Sequence, residues 1–187
     1  MDPESRETAR DSAAITSLKH YARILHRRAQ RSEPPALAKV RVLREFRELD
    51  AAQISCTIQR RQCLTVSALR LGFQSWDHAR AVLNDDAEDY GTLLYPQSCA
   101  GHWNIWSAHY DEARAIRSEH GGYLLAYRRQ FLIVDRDYID SLGLDPDDPD
   151  WSAIARDWVR PPDRAARARL YEKLVHDAIA RDVLGEC

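Results

Sequence analysis

Five side chains able to hold a metal or move a proton fall close together in the middle of the chain: Cys99, His102, His109, Glu112 and His120. A helix opening near Gly101 to Asn104 and running through Arg117 would put His102, His109 and Glu112 on one stripe. Cys99 could then fold back onto that stripe. Two chemistries suit the set. Thiolate, imidazole and carboxylate are ligands that zinc accepts, with Asp111 placed to orient an imidazole. Against this, seven residues of helix rise about 10 Å, too far for His102 and His109 to reach one ion. His109 and Glu112 are thus weak metal candidates. Alternatively, Cys99 at the positive end of a helix, with His102 as base and His109 nearby, has surroundings that lower a thiol pKa for nucleophilic attack. The reading these residues support best is plainer: a buried cysteine and hydrogen-bonded helix histidines around a core that includes Trp103 and Trp106. It needs no cofactor, and none is expected.

A second array is electrostatic. Arg41, Arg44 and Arg47 recur at spacing three, and Arg60 and Arg61 open a later helical pattern. The net charge of −2 hides a division: residues 1–84 hold 15 basic and 9 acidic residues, a balance of +6, and the remainder hold 12 and 20, a balance of −8. Such asymmetry marks either a basic module that docks on nucleic acid or an acidic protein, or two halves that attract each other. Base reading by a helix-turn-helix is not expected. The helix at Trp76–Leu83 turns Gln74, Asp77, His78 and Arg80 outward, and the aspartate repels phosphate. Backbone contact through Arg60, Arg61 and the Arg41, Arg44, Arg47 ridge is the form that nucleic-acid binding would take.

These arrays need elements to position them. At 187 residues, 44% hydrophobic and 30% charged, the chain can bury one good core, or a core plus a smaller helical module. No run approaches the roughly 20 apolar residues that span a bilayer, the amino terminus has no apolar signal region, and four scattered cysteines make no C-x-x-C. A cytoplasmic protein with no membrane contact is the expectation. The first dozen residues offer no apolar period and are expected to be disordered. Helices are then expected from Ser12 or Thr16 to Gln30, from Pro34 to about Leu49, from Ile54 to Leu71, and from Trp76 to Leu83. Gly72 is the left-handed cap of the third, Phe73 its hydrophobic contact, and Ser75 the cap of the fourth. Beyond the acidic junction Asn84–Asp89, Gly91–Tyr95 reads as a strand. Tyr123–Val134 reads as a hairpin turning at Arg128-Arg129. Asp137–Leu144 is a short helix, and the acidic run 145–150 is a turn that lacks the glycine and terminal glutamate of a calcium loop. Asp150 caps a helix to Trp158, and Asp163 caps a last one to about Leu184.

The pattern LKHYARILHRR at Leu18–Arg28, followed by QCLTVSALRLGFQSWDHARAVL at Gln62–Leu83, resembles the small helical module at the start of many bacterial glyoxalase-related proteins. Leu18, Lys19, Ala22 and Leu25 match its first helix; Leu64, Ala68, Gly72, Phe73 and Trp76 match its second segment, with Ser75 in place of the usual acid. The resemblance implies a helical module and no catalytic residues. Glyoxalase activity is not implied, because the chain beyond Asp85 is too short for the metal barrel of that family.

The resulting reading is an α+β protein: a tail over 1–12, a basic four-helix module over 13–84, and an acidic α+β domain over 85–187 with about three antiparallel strands covered by helices. Its expected role is a non-enzymatic bacterial interaction or regulatory protein, with a small thiol enzyme built on Cys99 and His102 as the alternative. Exposed aromatic surface makes a homodimer an expected state.

Overall fold

The structure, a computed structural model, describes residues 11–184. The expected tail lies outside it for residues 1–10, as does Cys187. Among the described residues the chain is α+β, with nine α-helices and one three-stranded antiparallel sheet. No helix there is long and apolar enough to cross a membrane.

Helix α1 (Ala13–Gln30) starts where Ser12 Oγ accepts from the Ile15 amide, and buries Ile15, Leu18, Ala22, Leu25 and Ala29 on one stripe. Helix α2 (Pro34–Val40) is shorter than its apolar period suggested. The chain turns after Val40 and forms a 3-10 turn at Arg44–Phe46, which buries Phe46 in a small core with Val40, Ile54 and Ile58. That packing overrides a helix to Leu49. The expected helix over 54–71 is two helices, α3 (Ala51–Thr57) and α4 (Arg60–Arg70), broken at Ile58 and Gln59. Asp50 starts α3 by accepting from Gln53 N at 2.8 Å while Gln53 Oε1 accepts from Asp50 N at 3.0 Å. Gln62 Oε1 likewise accepts from Gln59 N at 2.7 Å and opens α4.

The end of α4 matches its sequence pattern closely. Gly72 adopts φ +86°, its amide bonds Leu69 O at 3.1 Å, and Phe73 N bonds Ala68 O at 3.0 Å. Phe73 is buried, and Ser75 Oγ caps α5 (Trp76–Leu83) through the His78 amide at 3.1 Å. Only glycine fits at position 72, because a Cβ there would lie 2.3 Å from Thr92 Oγ1. This approach explains why Gly91–Tyr95 is a turn and not the expected strand: Thr92 N donates to Gly72 O at 2.9 Å, and Gly91 itself has φ +66°.

The missing strand lies where a helix was expected. β1 (Ile105–Ser107) pairs with β3 (Gln130–Val134), which pairs with β2 (Tyr123–Tyr127), in the order β1-β3-β2. The β2–β3 hairpin turns at Arg128-Arg129 as expected, with Arg128 at φ +53°. Helix α6 (Tyr110–His120) covers one face through Ala113 against Leu124 and Ile133. The outer edge of β2 is closed by Arg156 O, which accepts from Leu124 N, and by Trp158 N, which donates to Leu124 O, both at 2.9 Å. Helix α7 (Arg136–Ser141) is capped by Asp135, and α8 (Pro149–Ala153) by Asp148 rather than Asp150. Asp163 accepts from the Ala165 and Ala166 amides and starts α9 (Arg164–Leu184).

The main core joins both halves of the chain. Ile15, Leu18 and Tyr21 of α1 lie in one buried cluster with Tyr138, Trp151, Trp158, Leu170, Leu174 and Val175. Polar contacts fasten α9 at each end. Near its start Arg167, buried to 3% exposure, ion-pairs with Asp85 and donates to Trp158 O at 2.8 Å. Near its end Asp182, 1% exposed, accepts from Tyr21 of α1, Lys39 of α2 and Arg70 of α4. Burial pushes the Asp182 carboxyl up, but the donors from Lys39, Tyr21 and Arg70 outweigh it and hold the group below the usual carboxylate range.

Removing a buried partner leaves the opposite charges without compensation. Asp182→Ala is therefore expected to cost about 3 kcal/mol, a fall of roughly 6–12 °C in Tm by calorimetry. Because the folded pKa is depressed, the Asp182 contribution is complete above the unfolded value near 4 and is lost as pH falls through the folded value. The stability gap between wild type and Asp182→Asn, measured by urea titration, should narrow below about pH 4.

Candidate partner-binding surface

The second half of α1, α2, the 3-10 turn, α3 and the first half of α4 enclose their own core of Leu25, Leu37, Val40, Phe46, Ile54, Ile58 and Val66. Around this lobe the arginines turn outward. Residues 21–61 carry nine arginines and one lysine against four acids, which equals the whole +6 of residues 1–84. Arg41, Arg44, Arg47, Arg60 and Arg61 lie on this surface, and all five are exposed. Arg41 uses one Nη2 donor on Leu49 O at 3.2 Å. Arg41, Arg44 and Arg47 do not form the expected ridge of a single helix, because α2 ends at Val40. They track the turn over Phe46 instead.

Arg60 and Arg61 occupy the first turn of α4, which contains no acid. Cations there oppose the helix dipole, whose positive end and free amides favour an anion. Two arginines in this place do nothing for the stability of α4. Several basic groups of residues 11–84 are spent internally or locally: Lys19 on Asp11 at 2.6 Å, Arg28 on Glu33 at 3.2 Å, and Lys39, the one lysine of the lobe, together with Arg70 on Asp182. Acids interrupt the outer surface but do not cancel it. Glu45, for one, accepts from Gln62 Nε2 at 2.7 Å.

The cysteine and histidine candidates are placed differently from their expected stripe. Cys99 ends a 3-10 turn, His102 precedes β1, and only His109, Glu112 and His120 belong to α6 or its cap. With a strand between them, His102 and His109 share no helix face. Among the described residues no three His, Cys, Asp or Glu side chains converge as a metal-holding group. Glu112 accepts from Ser107 Oγ at 2.5 Å, and that hydroxyl in turn accepts from His109 N at 2.9 Å, so the acid braces the start of α6.

Cys99 is fully buried, with Sγ 4.0 Å from both Ser98 Oγ and Tyr138 O. Burial raises its thiol pKa; the Ser98 and Tyr138 hydrogen bonds and the Arg181 charge oppose this without reversing it. His102 is bonded to another partner. Its Nε2 lies 3.0 Å from Ser141 Oγ and its ring stands edge-on to Tyr138 at 5.4 Å. A raised thiol pKa is the opposite of what nucleophilic chemistry requires.

Two features leave little trace in the residue pattern. The Asp182 cluster joins residues 112 to 161 positions apart and has no local signature. Trp103, placed in the core by its type, is instead 97% exposed. The signal available for it was its neighbourhood, Gly101 and Asn104, both turn formers.

In a chain carrying Cys187→Ser, Ellman's reagent should titrate the exposed Cys56 quickly. Cys99 and Cys63, the latter pushed up to about 12 by burial, should react about 100-fold more slowly until the protein is unfolded. Comparison of the chain with protein-family models, curated proteins and solved structures gives no significant match.

Proposed function

We propose that the protein is a non-enzymatic docking or regulatory protein whose basic helical lobe binds an anionic partner, with the phosphate backbone of a nucleic acid as the leading candidate and an acidic protein surface as the other. The charge arrangement is the premise. The observation that carries the reading is the concentration of +6 on residues 21–61, with Arg41, Arg44, Arg47, Arg60 and Arg61 all exposed. The cationic first turn of α4 supports it, because those arginines oppose their own helix and an anion there would meet both guanidinium groups and free amides. Contact would be sequence-independent, since no base-reading helix carries the charge. The cytoplasm, where nucleic acid is abundant, is the compartment this reading requires.

Fluorescence anisotropy of the full chain with a generic DNA duplex, an RNA and an acidic peptide, each at several salt concentrations, tests it. A nucleic-acid partner predicts affinity that falls steeply with salt, by about 0.9 log units per log unit of salt for each phosphate contacted. The Arg41→Ala, Arg44→Ala, Arg47→Ala triple variant should flatten that slope by about 2–3 while leaving Tm within a few degrees. Binding to the peptide alone would select the protein partner. No binding to any of the three at low salt would overturn the proposal.

A further inference from the structure

From Tyr90 to Tyr110 the chain contains no Asp, Glu, Lys or Arg, although 30% of all residues are charged. This uncharged stretch ends in β1, and β1 is the open edge of the sheet. β3 holds its inner side, and among the described residues no strand pairs with its outer side. The opposite edge, β2, is closed by the segment at Arg156–Trp158. Sheet edges are ordinarily protected by a charged side chain, a proline, a bulge or a covering element. β1 and its immediate flanks have no charge and no proline.

The same edge is apolar on both faces. Ile105 is 45% exposed and Trp106 41%, while Trp103 just before the strand is 97% exposed. Trp106 is held on one side by Tyr95 and Tyr127, with ring centroids at 5.3 and 5.6 Å, so its free side is presented in a fixed orientation.

We infer that β1 pairs with β1 of a second copy of the chain, antiparallel about a two-fold axis, joining two three-stranded sheets into one of six. Charge selects this occupant. A charged partner would find no counter-charge along the edge, whereas a second copy presents an equally uncharged strand with no like-charge repulsion. An antiparallel self-pair is also closed, so association stops at two. Area sets its strength. Trp103 with the exposed parts of Trp106 and Ile105 offers about 400 Å² per copy, half of the roughly 800 Å² per partner in stable complexes. The dimer is therefore weak and forms at concentrations on the order of tens of micromolar. This pairing does not depend on the anionic-partner reading, although it would give each assembly two basic lobes.

Sedimentation velocity of the full chain between about 5 and 500 µM reads the mass directly. Wild type should move from 21.5 kDa toward twice that value. Ile105→Lys, which adds the natural edge protection, and Trp103→Ala, which removes a side chain that packs on little else, should each weaken association at least tenfold with circular dichroism unchanged. Amide exchange across β1 in the wild-type protein should slow as concentration rises, a readout that needs no variant. A chain still monomeric at about 500 µM, variants that dimerise undiminished, or β1 exchange independent of concentration would overturn the inference. So would protection of β1 that comes only with an added uncharged, extended peptide, which would assign the edge to a foreign strand.

Discussion

A buried carboxylate near the end of the chain holds the two halves of this protein together. Asp182 sits at the far end of α9 and accepts from three helices of the amino-terminal half, through Tyr21, Lys39 and Arg70. An unpaired charge in that position would be intolerable, so the donors and the acceptor specify each other. At the other end of the helix the polarity is exchanged: Arg167 of α9 is the buried cation and Asp85 its partner. Between these clamps α9 lies along α1, and the apolar side chains of both helices enter one core with Trp151 and Trp158. Apolar burial provides the bulk of the stabilisation, while the two clamps decide the register in which α9 lies.

This arrangement accounts for part of the charge division along the chain. An acid of the second half neutralises Lys39 and Arg70, and an acid of the junction neutralises Arg167. Most arginines of the lobe are left over, Arg28 with its partner Glu33 excepted. They surround a small separate core, and Arg60 and Arg61 oppose the dipole of their own helix, so this surface is distinct from the charge pairing between the halves. The internal and the external readings of the charge pattern thus apply to different residues.

The sheet is organised by contrast. Its β2 edge is closed by backbone from Arg156 and Trp158, and its β1 edge is left open beside an exposed tryptophan. Tyr95, Trp106 and Tyr127 support that open side with three ring contacts at 5.3–5.6 Å. The aromatic weight that the sequence concentrates between Tyr90 and Tyr138 is divided between a buried cluster, with Tyr123 and Tyr138, and this half-exposed one. The apolar residues of the two helical patterns at Leu18–Arg28 and Gln62–Leu83 are chiefly core and cap positions. Leu18, Ala22, Leu25, Ala68 and Phe73 are buried, so these positions serve packing.

What the sequence determined by itself is local. Ser12, Ser75, Asp135 and Asp163 cap helices because a short polar side chain can reach an amide two or three residues on. Gly72 ends a helix because it alone takes φ +86° against Thr92, and the hairpin turns at Arg128-Arg129 because one strand cannot run twelve residues there. The Asp50–Gln53 box was equally legible and would have started the third helix at Ala51. Tertiary structure decided the rest. Ile105–Ser107 is a strand although its flanks fit a helical period, because three residues have no strong preference and the unpaired side of β3 supplies the hydrogen bonds. That one choice separates His102 from His109. Asp182, Arg167 and Cys99 took their roles from burial and from partners 39 to 161 residues away, and a pairing of that range is set by how whole helices pack, which no local pattern records.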